Sequence, residues 1–132
     1  MKKVLGILSF ALVLFGFAAC NSAQKSPEAV VAAYFEALQK NDVEKAISLM
    51  HFNGDLTKDQ HDQIVATFND KLATVNNQYQ GIASCKVTDA EIAEDGEHAV
   101  VNCVVTYGNG EEKKSSEKTI KENGKWYIDG TK

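Results

Sequence analysis

The spacing of apolar residues changes once along this chain, near residue 80, and that change restricts the fold more than any other feature. Before it, apolar side chains recur every three or four positions. Val30, Val31, Tyr34, Phe35 and Leu38 share one helical face, and Val43, Ala46, Ile47 and Met50 share another. Ile64, Val65, Phe68, Leu72 and Val75 form a third stripe. After residue 82 the period drops to two. Ala99, Val101, Cys103, Val105 and Tyr107 alternate with their neighbours in a run rich in β-branched residues. Each helix has one wet face, so its apolar face must meet the sheet. The expected class is α+β, with three N-terminal helices packed on a strongly curved four-stranded antiparallel meander.

Local signals set the boundaries. Ser26 is a helix cap, Pro27 takes the first helical position and Glu28 puts an acid in the first turn. Asn41-Asp42 breaks that helix and caps the next. Phe52-Asn53-Gly54-Asp55 reads as a turn, and Thr57 with Gln60 forms a capping-box pattern. The third helix is expected to end at about Asn76. Turn pairs at Asp95-Gly96 and Asn123-Gly124, with Gly108-Asn109-Gly110 between them, divide the rest into strands over 82–93, 98–107, 111–122 and 125–129. The third strand is polar on both faces apart from Ile120. Its Lys113, Lys114, Lys118 and Lys121 suit an edge that resists pairing.

The amino end reads separately. Lys2 and Lys3 precede sixteen uncharged, mostly apolar residues, Val4 to Ala19, which stop at Cys20. That is the layout of a secretory signal peptide, and it falls short of the roughly 20 apolar residues of a membrane span. Phe17-Ala18-Ala19-Cys20 resembles the bacterial lipobox, departing from it at Phe17, where an aliphatic residue is usual. The resemblance implies that Cys20 carries a diacylglycerol thioether and fatty chains such as palmitate. The competing reading is a secreted protein in which Cys20 is a bystander. The expected layout is a lipoprotein signal peptide at 1–19, a lipid-anchored tether at 20–26 and a single α+β domain at 27–132. The expected place is the bacterial cell envelope, facing the periplasm.

Cleavage after Ala19 would leave 113 residues with 12 lysines against 18 acids, a charge of −6. The chain contains no arginine. An acidic balance without guanidinium groups excludes nucleic acid as a natural partner. It also gives no attraction to anionic head groups, so the membrane is reached through the acyl chains on Cys20 alone.

Candidate chemistry is sparse. His51, His61 and His98 have no metal-ligand spacing, and no cofactor motif is present. His51 sits between Met50 and Phe52 at a helix end, where it would line a cavity mouth. Asp89 and Glu91 share a strand face and would form an acid/base pair if buried together; a solvated strand surface is the plainer reading. Cys85 and Cys103 depend on register. With a two-residue loop at Asp95-Gly96, Cys103 opposes Thr88 and Cys85 opposes Thr106, on opposite faces. A one-residue bulge brings both to one face as diagonal neighbours about 7–8 Å apart, marginal for a disulfide. Free buried thiols are the alternative.

Two stretches carry a family resemblance. The run from Ser26 to Met50 resembles the opening of nuclear-transport-factor-two-like domains, and within that superfamily small bacterial lipoproteins of unknown function. Gly124-Lys125-Trp126-Tyr127-Ile128 resembles their closing strand. The resemblance implies a cone, in which a bent sheet wraps helices round an apolar cavity. The superfamily holds isomerases, dehydratases and cyclases, and also binding modules without catalysis. None of its catalytic sets of Asp, His or Tyr aligns with this chain. The expected cavity lining is Tyr34, Phe35, Leu38, Met50, His51, Phe68, Tyr107 and Trp126, weighed against plain core packing. The expected function is non-catalytic binding of a small apolar ligand or an envelope protein partner, with a homodimer compatible. The alternatives are a small isomerase-like or dehydratase-like enzyme using His51 or Asp89 and Glu91, and a structural or inhibitory adaptor using the outer face of the sheet.

Overall fold

The computed structural model describes residues 23–130. The expected signal peptide, the lipid-attachment residue Cys20 and the first part of the tether lie outside the described residues. Helix α1 (Pro27–Gln39) and helix α2 (Val43–Ser48) lead to a two-residue strand β1 (Met50–His51). Helix α3 (Lys58–Tyr79) follows, then strands β2 (Ile82–Ile92), β3 (His98–Tyr107), β4 (Glu112–Glu122) and β5 (Lys125–Asp129). The helix starts are where the cap signals put them. Ser26 Oγ accepts from the Ala29 amide at 3.1 Å, and Asp42 Oδ1 accepts from the Lys45 amide at 3.1 Å. Thr57 and Gln60 satisfy each other's backbone amides in a complete capping box.

Helix α3 runs to Tyr79, three residues past the expected end. Asn76-Asn77 does not stop it. The stop is Gln80, in the left-handed conformation at φ 62°, followed by Gly81 at φ 82°. The β3–β4 turn then locks onto this helix end. The Gly108 amide donates to Gly81 O at 2.8 Å and the Asn109 amide to Tyr79 O at 2.9 Å. The approach is so close that a Cβ on Gly108 would stand 2.1 Å from Gln80 O, so no residue but glycine fits there.

The sheet has five strands, not four, in the order β1-β5-β4-β3-β2. The added strand, β1, pairs parallel with β5, matching Met50 to Ile128 and His51 to Asp129. Two residues are too few to show a period, which is why the sequence pattern passes over them. A second correction concerns β4. It lies between β3 and β5 and is not an edge. The sheet edges are β1 and β2.

Strand β2 carries a bulge. Ile92 pairs with Ala99 and Asp89 with Asn102, but Val87 pairs with Cys103 and Cys85 with Val105, leaving Thr88 extra. The bulge bends the strand and sharpens its twist. It also moves Cys85 to the face occupied by Cys103. The two are free thiols, one half-buried and one buried.

One face of the sheet is covered by helices. Val30, Val31 and Phe35 of α1 pack against Val101, Cys103, Val105, Trp126 and Ile128. A second cluster joins Val43 and Ile47 of α2 to Leu72 of α3. The helices α2 and α3 are also tied by His61 Nε2 and Glu44 Oε1 at 2.9 Å. The Glu44 hydrogen bond raises the His61 pKa above the ordinary imidazole value. The tie therefore contributes fully below that ordinary value and fades as pH rises through the raised one. An NMR titration of the imidazole should place the His61 midpoint above the ordinary value, and Glu44→Gln should bring it down.

A candidate ligand cavity between helices and sheet

Antiparallel partners on adjacent strands share a face. The buried positions Ala99, Val101 and Cys103 of β3 pair with Thr119, Glu117 and Ser115 of β4. The polar alternate positions of β4 therefore lie under the helices. Thr119 is sealed in and donates its hydroxyl to Ala99 O at 3.0 Å. Glu117 and Ser115 are only half-buried, and the helices leave a hollow above Glu117.

That hollow is a cavity of about 500 Å³ between α1, α3 and the sheet. Its apolar wall includes Phe35, Leu38, Phe68, Leu72, Val75 and Ile82. Tyr34, Met50 and Tyr107 also line it, so six of the eight expected lining residues meet there. The rings are edge-on to one another, with Tyr34 centred 5.4 Å from Phe35 and 6.4 Å from Phe68. Glu117 and Asp129 also line the cavity, and Lys71 stands exposed at its rim.

Burial, with Glu117 nearby, pushes the Tyr34 phenol far above the usual tyrosine value, so it remains a neutral donor. Ser115 Oγ donates to Glu117 Oε2 at 2.8 Å. Burial pushes the Cys85 thiol up to about 12, with its hydrogen bond to Cys103 adding to the shift. Burial also raises Cys103, although the bond from Cys85 opposes this. Both are protonated, unreactive thiols at neutral pH. At the cavity's far end Tyr79 lies 4.8 Å from Tyr107, and Lys113 Nζ sits 4.6 Å from the Tyr79 ring centre and 3.0 Å from its hydroxyl.

Two expected lining residues lie elsewhere. Trp126 is 4% exposed and belongs to the solid core beneath α1. His51 lines a separate open groove with Phe52, Glu122 and Tyr127. Its Nε2 lies 2.8 Å from Glu122 Oε1, and its buried Nδ1 has no hydrogen-bond partner among the described residues. The short parallel β1 holds it at the sheet edge, which turns it away from the helices' hollow. Asp89 and Glu91 are also outside the cavity. They are exposed on the outer face, where Asn102 Nδ2 donates to Asp89 Oδ1 at 2.7 Å and Glu91 opposes Val100. His61 is bound to Glu44, and His98 closes the hairpin with Nδ1 2.7 Å from Asp95 Oδ2. Among the described residues no group of His, Cys, Asp and Glu converges as a metal site would.

Sequence reasoning missed Glu117. The signal was present: a strand polar on both faces, flanked by two others, must line something other than a dry core.

Two solved structures share this architecture. An NTF2-like protein from Campylobacter jejuni, provisionally called a transpeptidase, superposes with a TM-score of 0.63 at 16% identity, covering 78% of this chain and 96% of its own. A SEC-C motif-containing protein from Rhodopseudomonas palustris superposes with a TM-score of 0.56 at 16% identity, covering 85% of this chain and 80% of its own. Identities this low speak for the fold alone, and the fold is NTF2-like. No curated protein matches the chain. A family profile described as Domain of unknown function (DUF4878) matches residues 18–129, and the chain belongs to that family.

Proposed function

We propose that this is a non-catalytic, lipid-anchored protein of the bacterial cell envelope that binds a small, largely apolar ligand in the cavity between α1, α3 and the sheet. The observation that carries the reading is the cavity itself. A hollow of about 500 Å³ lined by Phe35, Phe68, Leu72 and Val75 leaves apolar surface uncovered that packing would otherwise bury. An apolar guest recovers that surface at about 25 cal/mol per Å². The anchoring part rests on the leader and on the lipobox-like Phe17-Ala18-Ala19-Cys20, which would hold the domain beside the bilayer.

The test is titration of the purified protein with the fluorescent apolar probe N-phenyl-1-naphthylamine. Wild type should bind it. Val75→Trp, which places an indole in the hollow, should weaken binding by roughly tenfold or more, as expected when a guest loses over 1.4 kcal/mol of contact. Absence of probe binding to the folded wild-type protein would overturn the reading. The anchor is read from the intact mass of protein extracted from membranes, which should exceed that of residues 20–132 by a diacylglyceryl group and an acyl chain.

A further inference from the structure

We propose that the cavity takes an amphipathic organic cation, whose ammonium pairs with Glu117 while its apolar body lies against Phe35, Phe68 and Leu72. The inference rests on the cavity being a ligand site, and it adds the chemical class of the ligand.

Glu117 is a carboxylate on the helix-covered face of the sheet. It pairs with Val101, which is 0% exposed, on the helix-covered face of a central strand. Half-burying a carboxylate there removes hydration that must be replaced. Ser115 replaces part of it at Oε2. Among the described residues, no hydrogen bond is made to Oε1. Three ionisable groups that feel the Glu117 charge do not neutralise it. Tyr34, Cys85 and Cys103 all lie within the field of Glu117, and all three are held in their neutral forms. Two lysines share this face of β4, each two alternate positions away: Lys113 is engaged with Tyr79, and Lys121 is exposed beside the β4–β5 turn, opposite Trp126. A bound cation would therefore find an acceptor oxygen and an uncompensated charge in a partly desolvated site, where a charge-assisted hydrogen bond is strongest.

The walls fit the same class. The ring faces and edges of Tyr34, Phe35 and Phe68 surround the hollow, and aromatic faces attract an ammonium through their quadrupoles. The Lys113 contact with Tyr79 and Tyr107 shows the same pairing made internally at the far end. An anionic guest would meet the Glu117 carboxylate, with Lys71 exposed at the rim.

The experiment is calorimetric titration of the purified protein with three ten-carbon probes: decylammonium, decanol and decanoate. Decylammonium should bind at least about tenfold tighter than decanol, because its hydrogen bond to the carboxylate carries a full charge. Decanoate should be weakest. Glu117→Gln should remove the preference for decylammonium over decanol, and the preference in wild type should survive 0.5 M salt because a partly buried pair is screened little. Equal binding of decanol and decylammonium overturns the cation class while leaving an apolar site. So does a preference that persists in Glu117→Gln or vanishes in salt, since that marks attraction to the acidic surface. Failure of all three probes to bind overturns the site itself. The wild-type comparison across head groups holds even if the variant does not fold.

Discussion

Trp126→Ala should destabilise the domain by about 3–5 kcal/mol, a large share of the 5–15 kcal/mol that holds a domain of this size folded. Trp126 is 4% exposed and packs in one cluster with Val30, Val31, Val101 and Ile128. It is the largest side chain in that cluster, and it sits on β5, the strand that joins β1 to β4. Its backbone is secured independently. The Trp126 amide donates to Gln24 O at 2.9 Å, and Gln24 Nε2 donates to Trp126 O at 3.3 Å. Truncating the side chain leaves those bonds in place, so the neighbours cannot collapse far into the void and the cavity cost is felt in full. Chemical denaturation should show a lower midpoint at nearly constant slope, and Trp126→Phe should restore most of the loss. A cost under about 1 kcal/mol would mean that Trp126 borders the hollow after all.

The same residue shows where sequence reading succeeds and where it stops. That Trp126 faces inward is legible from its alternation with Tyr127 on a strand after Asn123-Gly124. Whether inward means core or cavity is not, because both present apolar faces in the sequence. The distinction arises from how far the helices reach across the sheet. Caps and turns were legible for a related reason. Ser26, Asp42, Thr57 and Asp95 act within three residues of themselves, so their chemistry is local. Strand β1 and the centrality of β4 are products of long-range pairing, and the two-residue run Met50-His51 carries no local trace of its partner Ile128-Asp129. Register fell between these cases. The alternation fixed the faces of β3, but the bulge at Thr88 had no signal of its own, and it alone decides that Cys85 and Cys103 meet.

Two aspartates placed on opposite faces of β3 should have opposite fates. Val101→Asp should abolish folding or cost at least about 4 kcal/mol, because the site offers a buried charge no partner. Val101 is fully enclosed, with Ala90 on one side in the sheet and Glu117 on the other. A carboxylate there would face another carboxylate across the rung. It would be driven to protonate, and lowering the pH should recover part of the lost stability. Val104→Asp should be tolerated within about 0.5 kcal/mol. Val104 lies on the outer face between Lys86 and Lys114, so the new charge gains two cross-strand cations. Circular dichroism and denaturant unfolding of the two variants, at pH 5 and pH 7.5, check both expectations. The contrast bears directly on Glu117. It shares a rung and a face with Val101, yet the native fold tolerates its carboxylate. The differences are the Ser115 hydroxyl and the hollow above it, which admits water or a guest. If Val101→Asp were as benign as Val104→Asp, the helix-covered face would be wet throughout, and Glu117 would need no ligand to account for its place.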